Sequence, residues 1–328
     1  MIVVTGGAGF IGSNVIADLE ERNDESIAVV DWLGQDERWR NLGGRAISHF
    51  VRPENAISFL DDNARDITSI IHMGAISATT ERDVDRLVEL NINYTVRLWE
   101  WCAANQVTFL YASSAATYGA RERDFTDSNA LEDLAALEPL NAYGWSKNAT
   151  DIVFARRVAA GEPAPPFWAG LKFFNVYGPN EYHKGDMMSV ACKLYSKVMA
   201  GDPVQLFKSY RSGIVDGDQK RDFIYVKDCT KVIAWMLRAK VESGIFNVGT
   251  GRAESFLDIT NALARAVNSP VNVDFIDMPE SIRDRYQYFT QADMTKLKAC
   301  GYSEPFLSIE DGIADYVNAH LGRPNQYR

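Results

Sequence analysis

The sequence predicts an α/β fold in which a doubly wound parallel sheet is followed by a second, smaller α/β substrate domain. A β-branched strand at 2–4 runs into the turn Gly6-Gly7-Ala8-Gly9-Phe10-Ile11-Gly12, and a helix and a second strand, 27–30, follow and close on Asp31. Strand-like and helix-like segments then alternate to residue 115. Such alternation builds a parallel sheet with helices on both faces, and ligands bind past the carboxyl ends of its strands.

Each element has its own signal. Ile11, Val15, Ile16 and Leu19 share one helical face behind the glycine turn. Glycine allows the turn to be tight and its backbone to approach a pyrophosphate, while the helix start supplies N–H groups and the positive end of its dipole. With Asp31 beyond the next strand, the G-x-x-G-x-x-G spacing marks a Rossmann-like dinucleotide site. A polar loop, 32–42, carries Arg38 and Arg40. Strand 46–51, helix 53–62 and strand 67–72 lead into Met73-Gly74-Ala75, and a long helix, 82–105, precedes strand 108–112 and Ser113-Ser114.

Further on, an acidic, alanine-rich loop at 120–139 leads to Asn141, which can cap a helix reaching residue 159. Strand 168–174 ends in Asn175-Val176-Tyr177-Gly178-Pro179. The alternation then fades: helix 187–200, strand 204–207 and loop 209–219 suggest an added domain, whereas 221–226, 232–237 and 245–249 read as strands returning to the sheet. Helices 256–267 and 308–320 flank strand 271–278 and a loop at 285–287. The expected division is 1–174 for the cofactor domain, with return segments at about 222–250, and 175–328 for the substrate domain.

Composition narrows the function. The chain has 328 residues, 46% hydrophobic and 24% charged, which is ordinary for a soluble protein. A net charge of -10 without a basic stripe argues against nucleic acid, so an anionic ligand needs locally placed arginines. Cys102, Cys192, Cys229 and Cys300 lie far apart and the four histidines lack ligand spacing, so no metal site is expected. The first strand leaves no room for a leader and no apolar run would span a membrane, which predicts a cytoplasmic protein.

Tyr143 and Lys147, four apart on a predicted helix, share a face. A phenol is a poor base near neutrality, but a neighbouring ammonium stabilises the phenolate. Ser113-Ser114, at the end of a predicted strand, offers a hydroxyl that can hydrogen-bond a substrate oxygen as it becomes a carbonyl. Serine, tyrosine and lysine around a nicotinamide form a relay for proton and hydride.

The motifs resemble the extended short-chain dehydrogenase/reductases over most of the chain. Longer strings, TGGAGFIG at 5–12, YASSAATYG at 111–119, FNVYGP at 174–179, HKG at 183–185, RDF at 221–223, FNVGTGRAES at 246–255 and RYQYFTQAD at 285–293, resemble the ADP-L-glycero-D-manno-heptose 6-epimerase family within them. Dehydratases of the superfamily usually carry an Asp-Glu pair where this chain has Ser114-Ala115.

The resemblance implies an isomerase that inverts the heptose C6 carbinol of ADP-heptose by transient oxidation and re-reduction, for the lipopolysaccharide inner core. Another nucleotide-sugar epimerase or reductase of this type is the alternative. It implies Ser114, Tyr143 and Lys147 as the triad and Lys184 as a second acid/base, or as a partner of substrate phosphate. Asn175, Phe207, Arg211, Arg221 and Tyr286 match substrate contacts. The cofactor residues are Gly6, Gly9, Phe10, Ile11, Gly12, Asp31, Trp32, Arg38, Gly74, Ala75 and Asn91, with Tyr143 and Lys147. Asp31 by itself favours the ribose hydroxyl of NAD, whereas the family generally uses NADP through a basic residue a few positions on, here Arg38. NADP is therefore expected, with NAD possible, and the partners are ADP-heptose and further copies of the chain.

Overall fold

Runs of Ile, Val, Leu and Phe that water reaches from neither face build the centre of the molecule. The computed structural model describes residues 1–22, 25–239, 241–283 and 286–328, the side chains of Ser281 and Ile282 excepted. Arg285, the first residue of one family-like string, lies outside these described residues. Strands β1 (Ile2–Thr5), β2 (Ile27–Val30), β3 (His49–Val51), β4 (Ser69–His72), β5 (Thr108–Ser114), β6 (Trp168–Phe173) and β7 (Gly244–Val248) form one parallel sheet. Their order is β3-β2-β1-β4-β5-β6-β7, so the winding reverses between β1 and β4. Thr5 pairs with Val30 on one side and His72 on the other, which puts Gly6, Asp31 and Met73 at one carboxyl edge. A crevice at such a reversal is where open sheets of this kind bind ligands.

Helices α1 (Phe10–Glu21), α2 (Tyr94–Asn105), α3 (Ala142–Ala159), α4 (Val190–Ala200), α5 (Val226–Met236), α6 (Phe256–Ala266) and α7 (Ile309–Tyr316) cover the sheet and form the second part. Between α2, α3 and β6 the rings of Trp99 and Phe154 stack with centroids 4.0 Å apart, and Trp168 meets Trp99 edge-on at 5.1 Å. The long helix expected at 82–105 contains a π-helical stretch, Val88–Asn93, ahead of α2. Asn91 sits in that stretch, and π-bulges of this kind are frequent at functional sites.

A second apolar core holds Leu194 and Val198 of α4, Ile259 and Leu263 of α6, and Ile313 and Tyr316 of α7. It also takes in Val204 and Leu206 from the strand Val204–Phe207, which pairs in parallel with Val273–Ile276. Phe10, the first residue of α1, belongs to this second core, so the glycine turn is tied to both halves. No helix among the described residues is long and apolar enough to cross a membrane.

Two expected returns to the sheet are corrected. Residues 232–237 belong largely to α5: Val226, Cys229, Val232, Ile233 and Met236 recur at helical spacing and are buried on one face, and α5 packs on α1. A short apolar run cannot be assigned to strand or helix by periodicity alone. Lys220–Arg221 pairs with Glu254–Ser255, and Phe223–Tyr225 pairs with Asn175–Tyr177, as two small separate ladders. Of the three expected returns, the last joins the central sheet, as β7 beside β6.

Gly170 of β6 lies opposite Tyr111 of β5, and a Cβ there would stand 2.4 Å from the Tyr111 hydroxyl oxygen. Tyr111 is wholly buried and cannot swing away into solvent. Gly170→Ala should therefore destabilise the fold by about 1–3 kcal/mol, read as a lower urea midpoint at unchanged slope. An unchanged midpoint would mean that the Tyr111 ring has space to move.

Candidate active site

The glycine turn is a backbone-to-backbone contact. Gly6 has φ of +65°, and a Cβ on it would lie 2.5 Å from the nitrogen and Cα of Gly74. A Cβ on Gly12 would lie 2.2 Å from the Gly6 carbonyl oxygen. Gly9 begins α1 with no side-chain cap and no acid follows in the first turn, so the helix dipole is uncompensated at this edge. One Asp31 oxygen accepts from the N–H of Ala8 at 2.9 Å and the other from Trp32 at 2.8 Å. Burial pushes the Asp31 carboxyl up and those two N–H groups pull it back.

Beyond β2 a cleft of about 490 Å³ is lined by Asp31, Trp32, Leu33, Gly34, Phe50 and Arg52, among others. The side-chain-free cradle, the uncapped helix start and this largely apolar cleft fit a dinucleotide. Arg38 stands beside the cleft, its guanidinium on both Asp36 oxygens at 2.8 and 2.9 Å. Asn91 is engaged by the protein itself: its carboxamide exchanges hydrogen bonds with the backbone of Ile76 at 2.9 and 3.0 Å and donates to Ser146. It thereby acts on the segment after Gly74-Ala75 rather than offering a free group to a ligand.

Ser114 and Tyr143, two of the three residues expected to form a triad, come together because α3 lies hard against the turn that follows β5. Asn141 caps α3 by accepting from the N–H of Gly144 at 2.9 Å, and a Cβ on Gly144 would stand 2.6 Å from the Ala116 carbonyl oxygen. This brings the phenol of Tyr143 to the hydroxyl of Ser114. Burial pushes the Tyr143 phenol up, and the Ser114 contact opposes it. Lys147 donates to the Ala112 carbonyl at 2.8 Å, and burial lowers its ammonium to about 8 against the pull of Asp151. His72 is a core residue, held between the hydroxyls of Thr5 and Thr95 at 2.5 and 2.9 Å. Burial, with Lys147 nearby, lowers it to about 3, so it is neutral.

Phe207, Arg221 and Tyr286 form one cluster. The guanidinium of Arg221 stands 5.3 Å from the Tyr286 ring and 5.9 Å from Phe256, and Phe207 meets Tyr286 at 6.3 Å. Arg211 is elsewhere engaged, with both terminal nitrogens on Glu122 at 2.5 and 2.6 Å, which ties the 209–219 loop to the acidic segment. Asn175 is exposed on the short strand after β6. Lys184 stands on a turn, Tyr182–Met187, with its ammonium 5.1 Å from the ring of Phe10. Burial lowers it, while Glu181 raises it. Phe10, by contributing to the second core and to this contact, is a floor for Lys184.

Three supporting residues escaped the sequence reading, although two of them, Asp222 and Asn247, stand inside strings that were visible. Gly144 permits the approach of α3. Asp222, the middle of RDF, accepts four hydrogen bonds, from the N–H and hydroxyl of Thr250 and from the N–H groups of Gly251 and Ala292, at 2.7 to 3.0 Å. Asn247 accepts from the Tyr118 hydroxyl at 2.7 Å and donates to the carbonyls of Phe125 and Asp293. For Asn247 the available signal was a polar residue inside an otherwise apolar buried strand, since such a group must find partners.

Comparison with known proteins gives a consistent picture. The model of the NAD dependent epimerase/dehydratase family matches residues 2–249. The chain is 44% identical to the ADP-L-glycero-D-manno-heptose-6-epimerase of Fusobacterium nucleatum and 44% identical to that of Nitratidesulfovibrio vulgaris, with all of each chain covered. Among solved structures, the Helicobacter pylori ADP-L-glycero-D-manno-heptose-6-epimerase superposes with a TM-score of 0.79 at 26% identity, over 97% of this chain and 95% of that one. The Thermus thermophilus UDP-glucose 4-epimerase, solved in complex with NAD, superposes with a TM-score of 0.76 at 26% identity, over 97% of each chain.

The hub at Asp222 makes a direct prediction. An amide in its place turns an N–H₂ group toward backbone donors, and each buried donor left unpaired costs about 1–3 kcal/mol. Asp222→Asn should lower stability by on the order of 3 kcal/mol, measured by denaturant titration. A variant as stable as the parent would mean that other contacts hold the 250–251 and 292 segments.

Proposed function

The chain belongs to the NAD dependent epimerase/dehydratase family, and from that premise we propose that it inverts the heptose C6 carbinol of ADP-glycero-manno-heptose, supplying a precursor of the lipopolysaccharide inner core. The observation that supports this reading is that Tyr143 reaches Ser114, and Lys147 the Ala112 carbonyl, at the end of β5, on the sheet edge that also holds the glycine turn. The choice of sugar nucleotide rests on the likeness to heptose epimerases along the entire chain.

A nicotinamide, when bound, supplies the hydride acceptor and donor, and it is restored in each turnover. Ser114 hydrogen-bonds the sugar oxygen. Tyr143 takes the carbinol proton and later returns one, and the Lys147 ammonium favours its phenolate. Because inversion presents the oxygen in two orientations, Lys184 serves as the second acid/base. Its burial eases loss of a proton, which suits that task. Arg221 pairs with the diphosphate, Phe207 and Tyr286 hold the sugar end, and Asn175 and Arg211 complete the substrate contacts, Arg211 by leaving Glu122. NADP is the cofactor in this reading, with Arg38 holding its 2′-phosphate. In support, the Arg38 guanidinium lies beside the cleft that Asp31 and Trp32 line. Further copies of the chain are the remaining partners in this reading.

Incubation with ADP-D-glycero-D-manno-heptose tests the proposal: interconversion of the two epimers without net change in nicotinamide absorbance is expected. Failure with this substrate alongside turnover of a UDP-hexose would overturn it in favour of another nucleotide-sugar epimerase. Tyr143→Phe and Lys184→Met should each lower kcat by about 10²- to 10⁴-fold. Near-parental kcat in Lys184→Met would leave Lys184 as a phosphate ligand and Tyr143 as the acid/base on both faces. Arg38→Ala should weaken NADP by roughly ten- to a hundredfold while leaving NAD little changed. Equal losses in a binding titration would remove Arg38 from the 2′-phosphate.

A further inference from the structure

Behind the triad lies a buried ion pair that the proposed chemistry does not use. Tyr143, Lys147 and Asp151 recur every four residues on α3, so they line one face of it. That face runs along β5: Tyr143 meets Ser114, Lys147 donates to the Ala112 carbonyl, and Asp151 accepts from the hydroxyls of Ser113 and Tyr111 at 2.8 and 2.9 Å. Asp151 is 0% exposed and Lys172 1% exposed, and the two are 3.0 Å apart. Lys172 comes from β6, in register with Ser113, donates to the Thr117 hydroxyl at 2.6 Å and stands 4.9 Å from the Tyr118 ring.

Taking two charges wholly out of water is costly, and a buried pair is weak support for stability as such. Its position suggests what it is for. Asp151 is one helical turn from Lys147 and acts on that ammonium through space, favouring its charged form against burial. The Tyr111 hydroxyl that reaches Asp151 does so through the space left by Gly170. The other titratable groups around this face are His72 on β4, which is neutral, Tyr118 in the turn after β5, and Tyr143 itself.

We propose that Asp151 and Lys172 are positioning residues for the reaction: the Asp151 carboxylate, paired with Lys172, clamps α3 onto β5 and β6 and holds Lys147 beside Tyr143 as an ammonium. Lys172 gives the carboxylate a permanent partner on the far side, so Asp151 stays behind Lys147 and does not compete for the phenol. Tyr143 then lies one helical turn from a cation that Asp151, one turn further along α3, keeps charged.

The inference rests on the reading of Tyr143 and Lys147 as an acid/base pair, and its test is separable from the choice of substrate. The ammonium of Lys147 is titrated by NMR in the full chain carrying isotope-labelled lysine, its signal assigned by its loss in Lys147→Arg. Asp151→Asn should lower the Lys147 midpoint by about one pH unit, and the high-pH limb of kcat should move down equally while KM is unchanged. Lys172→Arg, which keeps the pair, should leave both where the parent has them. If Asp151→Asn does not fold, Asp151→Asn combined with Lys172→Met removes both charges, and the same downward shift is expected. A folded Asp151→Asn or double variant with an unmoved midpoint overturns the proposal, as does a Lys172→Arg chain whose midpoint falls as far as that of Asp151→Asn. The NMR titration requires no substrate, so absence of turnover with ADP-heptose would count against the function and not against this pair.

Discussion

Two stretches of bare backbone meet where the winding of the sheet reverses, and most of the site is placed by that contact. The turn at Gly6 stands so close to Gly74 that a single methyl group on Gly6 would force the two strand ends apart. Gly12 brings the first turn of α1 equally close to the Gly6 carbonyl. Because α1 must start there, Phe10 is delivered to the second core and forms the floor under Lys184. The same edge receives Asp31 from β2, whose carboxylate closes back onto the N–H of Ala8. Dinucleotide cradle, second-domain core and second candidate acid/base thus share one geometric origin.

The loops around this edge are held by buried polar groups with nearly all their hydrogen-bonding capacity used. Asn91 fixes the segment beyond Gly74, Asn247 joins the 118–127 region to residue 293, and Asp222 gathers the 250–251 loop and residue 292 beside Arg221. A buried carboxylate or amide that loses even one of these partners incurs a large desolvation cost. That cost makes the loops rigid in a way that apolar packing, which tolerates sliding, does not. Arg221 benefits most directly, being the residue next to Asp222 and confined between aromatic rings.

Helix α3 works as a ruler laid along β5. The half-buried phenol of Tyr143 is at the open end, the Lys147 ammonium lies one turn inward, and the fully buried Asp151 lies one turn further. Burial disfavours the charged form of both Tyr143 and Lys147, pushing the phenol up and the ammonium down, and the opposing contacts are the Ser114 hydroxyl for the first and the Asp151 carboxylate for the second. Gly144 makes the arrangement possible, since any side chain there would lift the open end of the helix off the turn.

Local periodicity and residue chemistry were enough to read the parallel sheet, the glycine turn, the acid at its second strand and the spacing of Tyr143 and Lys147, because each is written within one or two helical turns or one strand. Family-like strings further implied the residues of the substrate cluster. The same local reading failed at 232–237, where a short apolar run fits strand and helix equally and the decision came from packing on α1. It could not show that Arg211 would be held by Glu122, that Asn91 would turn to the backbone of Ile76, or that Asp222 would become a hub, since every one of these pairings joins residues far apart in the chain. Tertiary structure decided them because a buried polar group takes whichever partner the fold brings within hydrogen-bonding distance, and that distance is set by the packing of whole elements rather than by the neighbours of the residue in sequence.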